Sequence, residues 1–173
     1  MRPVKKLTVT AVLAALSVVL LELGSLIEVL DLSMAAIVSC FVVFFRIELR
    51  GPYPYLFWAT TSVLSLVLPP FTGGAGLLFA LLGLYPILKA YLERLPRPVE
   101  WLLKVLLAAF LLGVFVLVSK FVLGLDDAIF SGWLLPAFLA LALVTFVLYD
   151  IALSRLIVFY SLRIRPRLSR FLK

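Results

Sequence analysis

The chain is 173 residues long, 65% hydrophobic and only 14% charged, against about 45–50% apolar and roughly 25% charged in soluble domains. That balance excludes a water-soluble enzyme and a disordered chain alike. The sequence holds one cysteine, Cys40, and no histidine, so no internal disulfide, thiolate metal cluster or imidazole chemistry is expected. A membrane-spanning helix takes about 20 residues, so six of them use about 120 and leave about 50 for ends and connections.

Arg2, Lys5 and Lys6 precede a long apolar run that exceeds a signal-peptide core and is read as a retained first helix, about 7–27. Glu28, Asp31 and Ser33 punctuate the chain after that helix, with Asp31 or Ser33 placed to cap helix 2, about 33–46. Gly51-Pro52-Tyr53-Pro54 is a turn before helix 3, about 54–69, which Pro69-Pro70 stops. Phe71–Gly76 is a glycine-rich connection. Helix 4 spans about 76–92, and Pro86 should kink it near Leu82. Arg94, Pro96, Arg97 and Pro98 form a short polar connection to helix 5, about 99–123. Gly124–Asp127 lies in the next loop, and helix 6, about 133–157, runs into a basic tail. The expected fold is an all-α integral membrane bundle, one domain of six transmembrane helices.

Counting Lys and Arg on alternate sides orients it. With both termini cytoplasmic, 15 of the 16 basic residues lie inside and only Lys120 points outward. The formal +7 then divides into a cytoplasmic +11 and an outer −4, the outer acids being Glu22, Glu28, Asp31, Asp126 and Asp127. Attraction to the anionic lipids of a bilayer accounts for the basic inner side without a nucleic-acid partner. A five-span topology would place one basic cluster outside and is rejected.

No phosphate loop, H-E-x-x-H or G-x-S-x-G motif occurs, so neither an enzyme activity nor a cofactor is expected. Any ATP-driven step would belong to another chain. Helix 1 carries two sets of small residues, Thr8, Ala11 and Ala15, and Thr10, Ala14 and Ser17, each at helical spacing. Such faces let helices approach closely in lipid, here either within the chain or against a separate subunit. Glu22 and Lys120 each lie 16 residues beyond an inner-side lysine, Lys6 and Lys104, which puts both about 24 Å along their helices. They form a structural ion pair, line a ligand pocket, or extend to the interface. Asp150, near the inner end of helix 6, calls for a cation, and Arg46, Lys89 and Arg155 are the candidates. Phe71, Thr72, Tyr85, Asp127 and Trp133 line an outer cavity or belong to packing and the interfacial aromatic belt.

The layout resembles the S components of energy-coupling factor (ECF) transporters, the membrane subunits that capture vitamins. The resemblance rests on the six short spans, the run Lys6–Leu16 with its Ala11-x-x-x-Ala15 motif, and Glu28–Ala36 leading into helix 2. It implies a multi-pass protein of a prokaryotic cell membrane, with a small-molecule substrate held in an outward cavity of helices 4–6 roofed by the 1–2, 3–4 and 5–6 loops. It also implies docking through Ala11 and Ala15 onto a transmembrane coupling subunit with two ATPase subunits, and tilting to release cargo inside. The binding signatures of the riboflavin, thiamine, biotin and folate members are not matched. Arg50-Gly51-Pro52 is similar to a segment of the rod-shape-determining MreD proteins, which are non-transporting membrane scaffolds, but their later glycine and aspartate pattern is absent.

Overall fold

The computed structural model describes residues 3–49, 51–68, 74–121 and 134–166. The described residues are almost wholly helical: α1 Pro3–Ser25, α2 Asp31–Glu48, α3 Tyr53–Val67, α4 Gly74–Leu82, α5 Tyr85–Leu92, α6 Arg97–Phe121 and α7 Leu134–Phe159. Four helical stretches are long and apolar enough to cross a membrane: Val4–Ser25, Gly74–Leu92, Arg97–Val118 and Leu139–Arg163. At 1.5 Å per residue, the 15-residue α3 is about 22 Å long, short of the roughly 30 Å hydrocarbon layer. The 18-residue α2 carries three charges, Asp31, Arg46 and Glu48.

The helix ends follow local chemistry. Gly51 takes φ +70°, which costs a residue with a Cβ about 1–2 kcal/mol, and reverses the chain between α2 and α3. Pro54 sits in the first turn of α3, where its missing N–H costs nothing. Leu68 then turns extended at ψ 141°, as a residue before proline must. At the start of α2 the expected side-chain cap is not made. Leu30 is the N-cap, a 3-10 turn over Glu28–Leu30 precedes it, and Asp31 lies in the first helical turn. There its carboxylate complements the positive end of the helix and reaches the first residue of α4, where a Cβ on Gly74 would run into it.

The expected kink near Leu82 lies at Gly83-Leu84, where a two-residue turn divides the span Gly74–Leu92 into α4 and α5. Pro86 bars a bond back to Leu82, and Gly83 turns the kink into a stop because its Cα lies against its own preceding turn. A Cβ there would come within 2.7 Å of both the Phe79 ring and the Phe79 carbonyl. The break leaves carbonyls at the end of α4 without intrahelical donors. Gly83 N–H bonds Phe79 O at 2.7 Å, and Trp58 Nε1–H reaches across from α3 to Ala80 O at 2.9 Å.

Two compact units emerge, Met1–Ile87 with Ala152–Lys173, and Leu88–Ile151. In the first, α1 packs chiefly on α3 and α2 on α4. Phe57 is fully buried between Phe45, stacked at 4.6 Å and 28°, and Phe79, edge-on at 6.4 Å. Gly24 lets α1 approach Met34 of α2, and Gly76 lets α4 lie against Ser65 of α3. The buried hydroxyls of Thr10, Ser17 and Ser39 bond the carbonyl four residues back, which hides their polarity inside the helix. Near the end of α7 a π turn, Tyr160–Ile164, sets the Tyr160 hydroxyl against Glu48 Oε1 at 3.3 Å and its ring against Phe44. The second unit contains the end of α5, α6 and most of α7.

Candidate functional site: a buried cluster of five charges

Three helices bring charges together inside the second unit. Lys89 and Glu93 lie one turn apart at the end of α5, Glu100 and Lys104 one turn apart on α6, and α7 contributes Asp150. That i,i+4 spacing puts each lysine on the same face as its own glutamate. Lys89 is fully buried, Lys104 is 5% exposed and Asp150 6%.

Asp150 takes both lysines at once. Its Oδ1 is in direct contact with Lys89 Nζ, its Oδ2 accepts from Lys104 Nζ at 3.1 Å, and its backbone carbonyl accepts a further bond from Lys89 at 3.3 Å. Lys89 also meets Glu93 Oε1 at 3.1 Å, and Lys104 meets Glu100 Oε1 at 2.7 Å. Glu93 is 43% exposed and Glu100 only 17%. The three buried members, Lys89, Lys104 and Asp150, are joined by the half-buried Glu100, which balances two positive charges against two negative, while Glu93 is exposed to solvent. Buried ions are tolerated only when paired and hydrogen-bonded in this way. Lys104 also lies 5.5 Å from the centre of the Trp101 ring, which favours a cation over its face. Beside Lys104 and Asp150 is a cavity of about 10 Å³, otherwise walled by Trp101, Val105, Ala108, Leu143, Phe146 and Val147. It approaches the size of a single water and is far below that of an organic substrate. The cluster is built to hold three helices together.

The expected neutralisation of Asp150 is met by Lys89. Lys104 joins it and was missed, although the Glu100/Lys104 spacing is the same signal as Lys89/Glu93. Among the outer candidates, Glu22 is part-buried on α1 and Tyr85 is wholly buried at the start of α5. Phe71, Thr72, Asp127 and Trp133 lie outside the described residues, as does the Lys120 side chain. Among the described residues no group of three or more acidic or cysteine side chains converges as a metal site.

No family profile, curated protein or solved structure matches the chain. Its own geometry carries the argument, and α1 is the informative element. Thr10, Ala14, Ser17 and Leu21 are buried by the chain's own helices, whereas Ala11 and Ala15, one residue round the helix, are exposed. The two small-residue stripes therefore have different fates. In the same unit, Thr61 Oγ1 and Ser62 Oγ are buried with no hydrogen-bond partner among the described residues, an arrangement that costs about 1–3 kcal/mol per group.

Proposed function

We propose that the chain is the substrate-capture subunit of an ECF-type uptake transporter, a six-span protein of a prokaryotic cell membrane with both ends in the cytoplasm. The observation that carries this reading is the exposed Ala11–Ala15 stripe. The bundle packs α1 through its other small-residue face and leaves this one uncovered, as a docking surface for a coupling subunit requires. Small side chains there let a partner helix come close enough for van der Waals packing, the main source of association in lipid. The four apolar helices and the inward bias of Lys and Arg support the membrane placement. The substrate is a small molecule of the vitamin class, taken from outside by a site that includes Glu22, Phe71, Thr72, Tyr85, Lys120, Asp127 and Trp133.

The test is coexpression with an ECF-type coupling subunit and its ATPases. Copurification is expected for the natural chain and is lost in Ala11→Leu/Ala15→Leu, which still retains its small molecule by native mass spectrometry. Single cysteines placed in a Cys40→Ala background should label from outside at positions 72 and 128 and from inside at 94. Unchanged copurification of the double variant, or outside labelling at 94, overturns the reading. A chain that binds neither coupling subunit nor small molecule belongs instead with non-transporting scaffolds of the MreD kind.

A further inference from the structure

The second unit carries an apolar groove of about 350 Å³ between α5 and α6, walled by Leu88, Tyr91, Leu92, Leu103, Leu106 and Phe110. From Leu103 to Phe110 it runs about 10 Å along α6. At the Tyr91 end the Arg94 guanidinium lies 5.7 Å from the ring centre, and both side chains are exposed. The acids of this region are already engaged, Glu93 by Lys89 and Glu100 by Lys104. Arg94 has no carboxylate partner among the described residues, and Arg97, exposed at the start of α6, adds a second positive charge. An apolar slot thus ends at a cation free to take an external anion.

We propose that this groove binds one anionic phospholipid, with an acyl chain between α5 and α6 and the headgroup phosphate on Arg94. Shape and polarity point to a lipid: the groove is open along one side, walled by apolar side chains and has a cation at one end, the arrangement of an acyl chain below a phosphate. Charge decides which lipid, because a zwitterionic headgroup adds its own cation beside Arg94 and an anionic one does not. The inference needs the membrane location but not the transport reading. A chain that holds the lipid yet never meets a coupling subunit would keep this site and lose that function.

The experiment uses the full chain released from vesicles of phosphatidylglycerol and phosphatidylcholine with identical acyl chains, and native mass spectrometry reads the retained lipid. One phosphatidylglycerol per chain is expected, preferred over phosphatidylcholine. Arg94→Gln should lower that preference about fivefold, the ratio that corresponds to roughly 1 kcal/mol per basic residue at an anionic surface, and Arg94→Lys should restore most of it. Leu106→Trp, which fills the slot, should reduce retention of both lipids. Equal retention of the two lipids, an unchanged preference in Arg94→Gln, or retention of inorganic phosphate in place of a lipid overturns the proposal, as does a dimer whose formation excludes lipid.

Discussion

Asp150→Asn tests the charge cluster directly, because it keeps the shape of the side chain and removes the one charge that faces both lysines. Losing one partner of a buried pair costs about 3–5 kcal/mol, since the other charge is left in a low-dielectric interior. Here each lysine retains a glutamate. The Glu93 contact, with its acid 43% exposed, contributes under about 1 kcal/mol, so Lys89 loses most of its compensation. The expected cost is therefore at the low end, about 3 kcal/mol, or roughly 150-fold in the ratio of folded to unfolded chain. Reversible unfolding in mixed micelles, followed by helical circular dichroism as the denaturing detergent rises, measures it. Glu93→Gln should cost under about 1 kcal/mol in the same assay. Asp150→Asn combined with Lys104→Met should cost at least about 1 kcal/mol less than the sum of the two singles. An Asp150→Asn variant no less stable than Glu93→Gln would refute the reasoning.

Four further outcomes use the same assay. Phe57→Ala, which empties the space between Phe45 and Phe79, should cost about 3–5 kcal/mol. Gly83→Ala should cost about 1–3 kcal/mol, because its new methyl meets a carbonyl that cannot turn aside; Gly113→Ala, with nothing within 4 Å, should be neutral or stabilising by up to about 1 kcal/mol. Trp58→Phe removes the donor from Ala80 O and should cost about 1 kcal/mol.

The positions of the helices were legible because apolar runs, prolines and glycines mark them strongly. α1 begins and ends a few residues before its expected bounds, and α7 runs from Leu134 to Phe159 against an expected 133–157. Pro86 announced the bend, and Gly83, which lies against its own preceding turn at Phe79, sets its place. Lys89 could be named for Asp150 from charge and depth. Lys104 carries the same i,i+4 glutamate signal as Lys89 and was equally legible, but which helix packs against Asp150 is set by tertiary contacts. On α1 both small-residue stripes were visible, but they sit only about 100° apart with valine and leucine between them. Which one is buried is decided by α2, α3 and α4, and no pattern within α1 records that.

On the proposed membrane placement, the way the five charges are distributed also bears on how the chain would enter a bilayer. A lysine or aspartate at mid-helix costs about 2.5–3.5 kcal/mol on insertion. Lys89 with Glu93 and Lys104 with Glu100 each bring a counter-charge one turn away in the same stretch of chain, so α5 and α6 arrive as self-compensated segments. Asp150 has no cation three or four residues away on α7. Its partners exist only once the two earlier helices are in place, and chain order supplies them first. Transferred ahead of α5, the same segment would offer a bare carboxylate to hydrocarbon, so the last helix depends on its predecessors for admission as well as for packing.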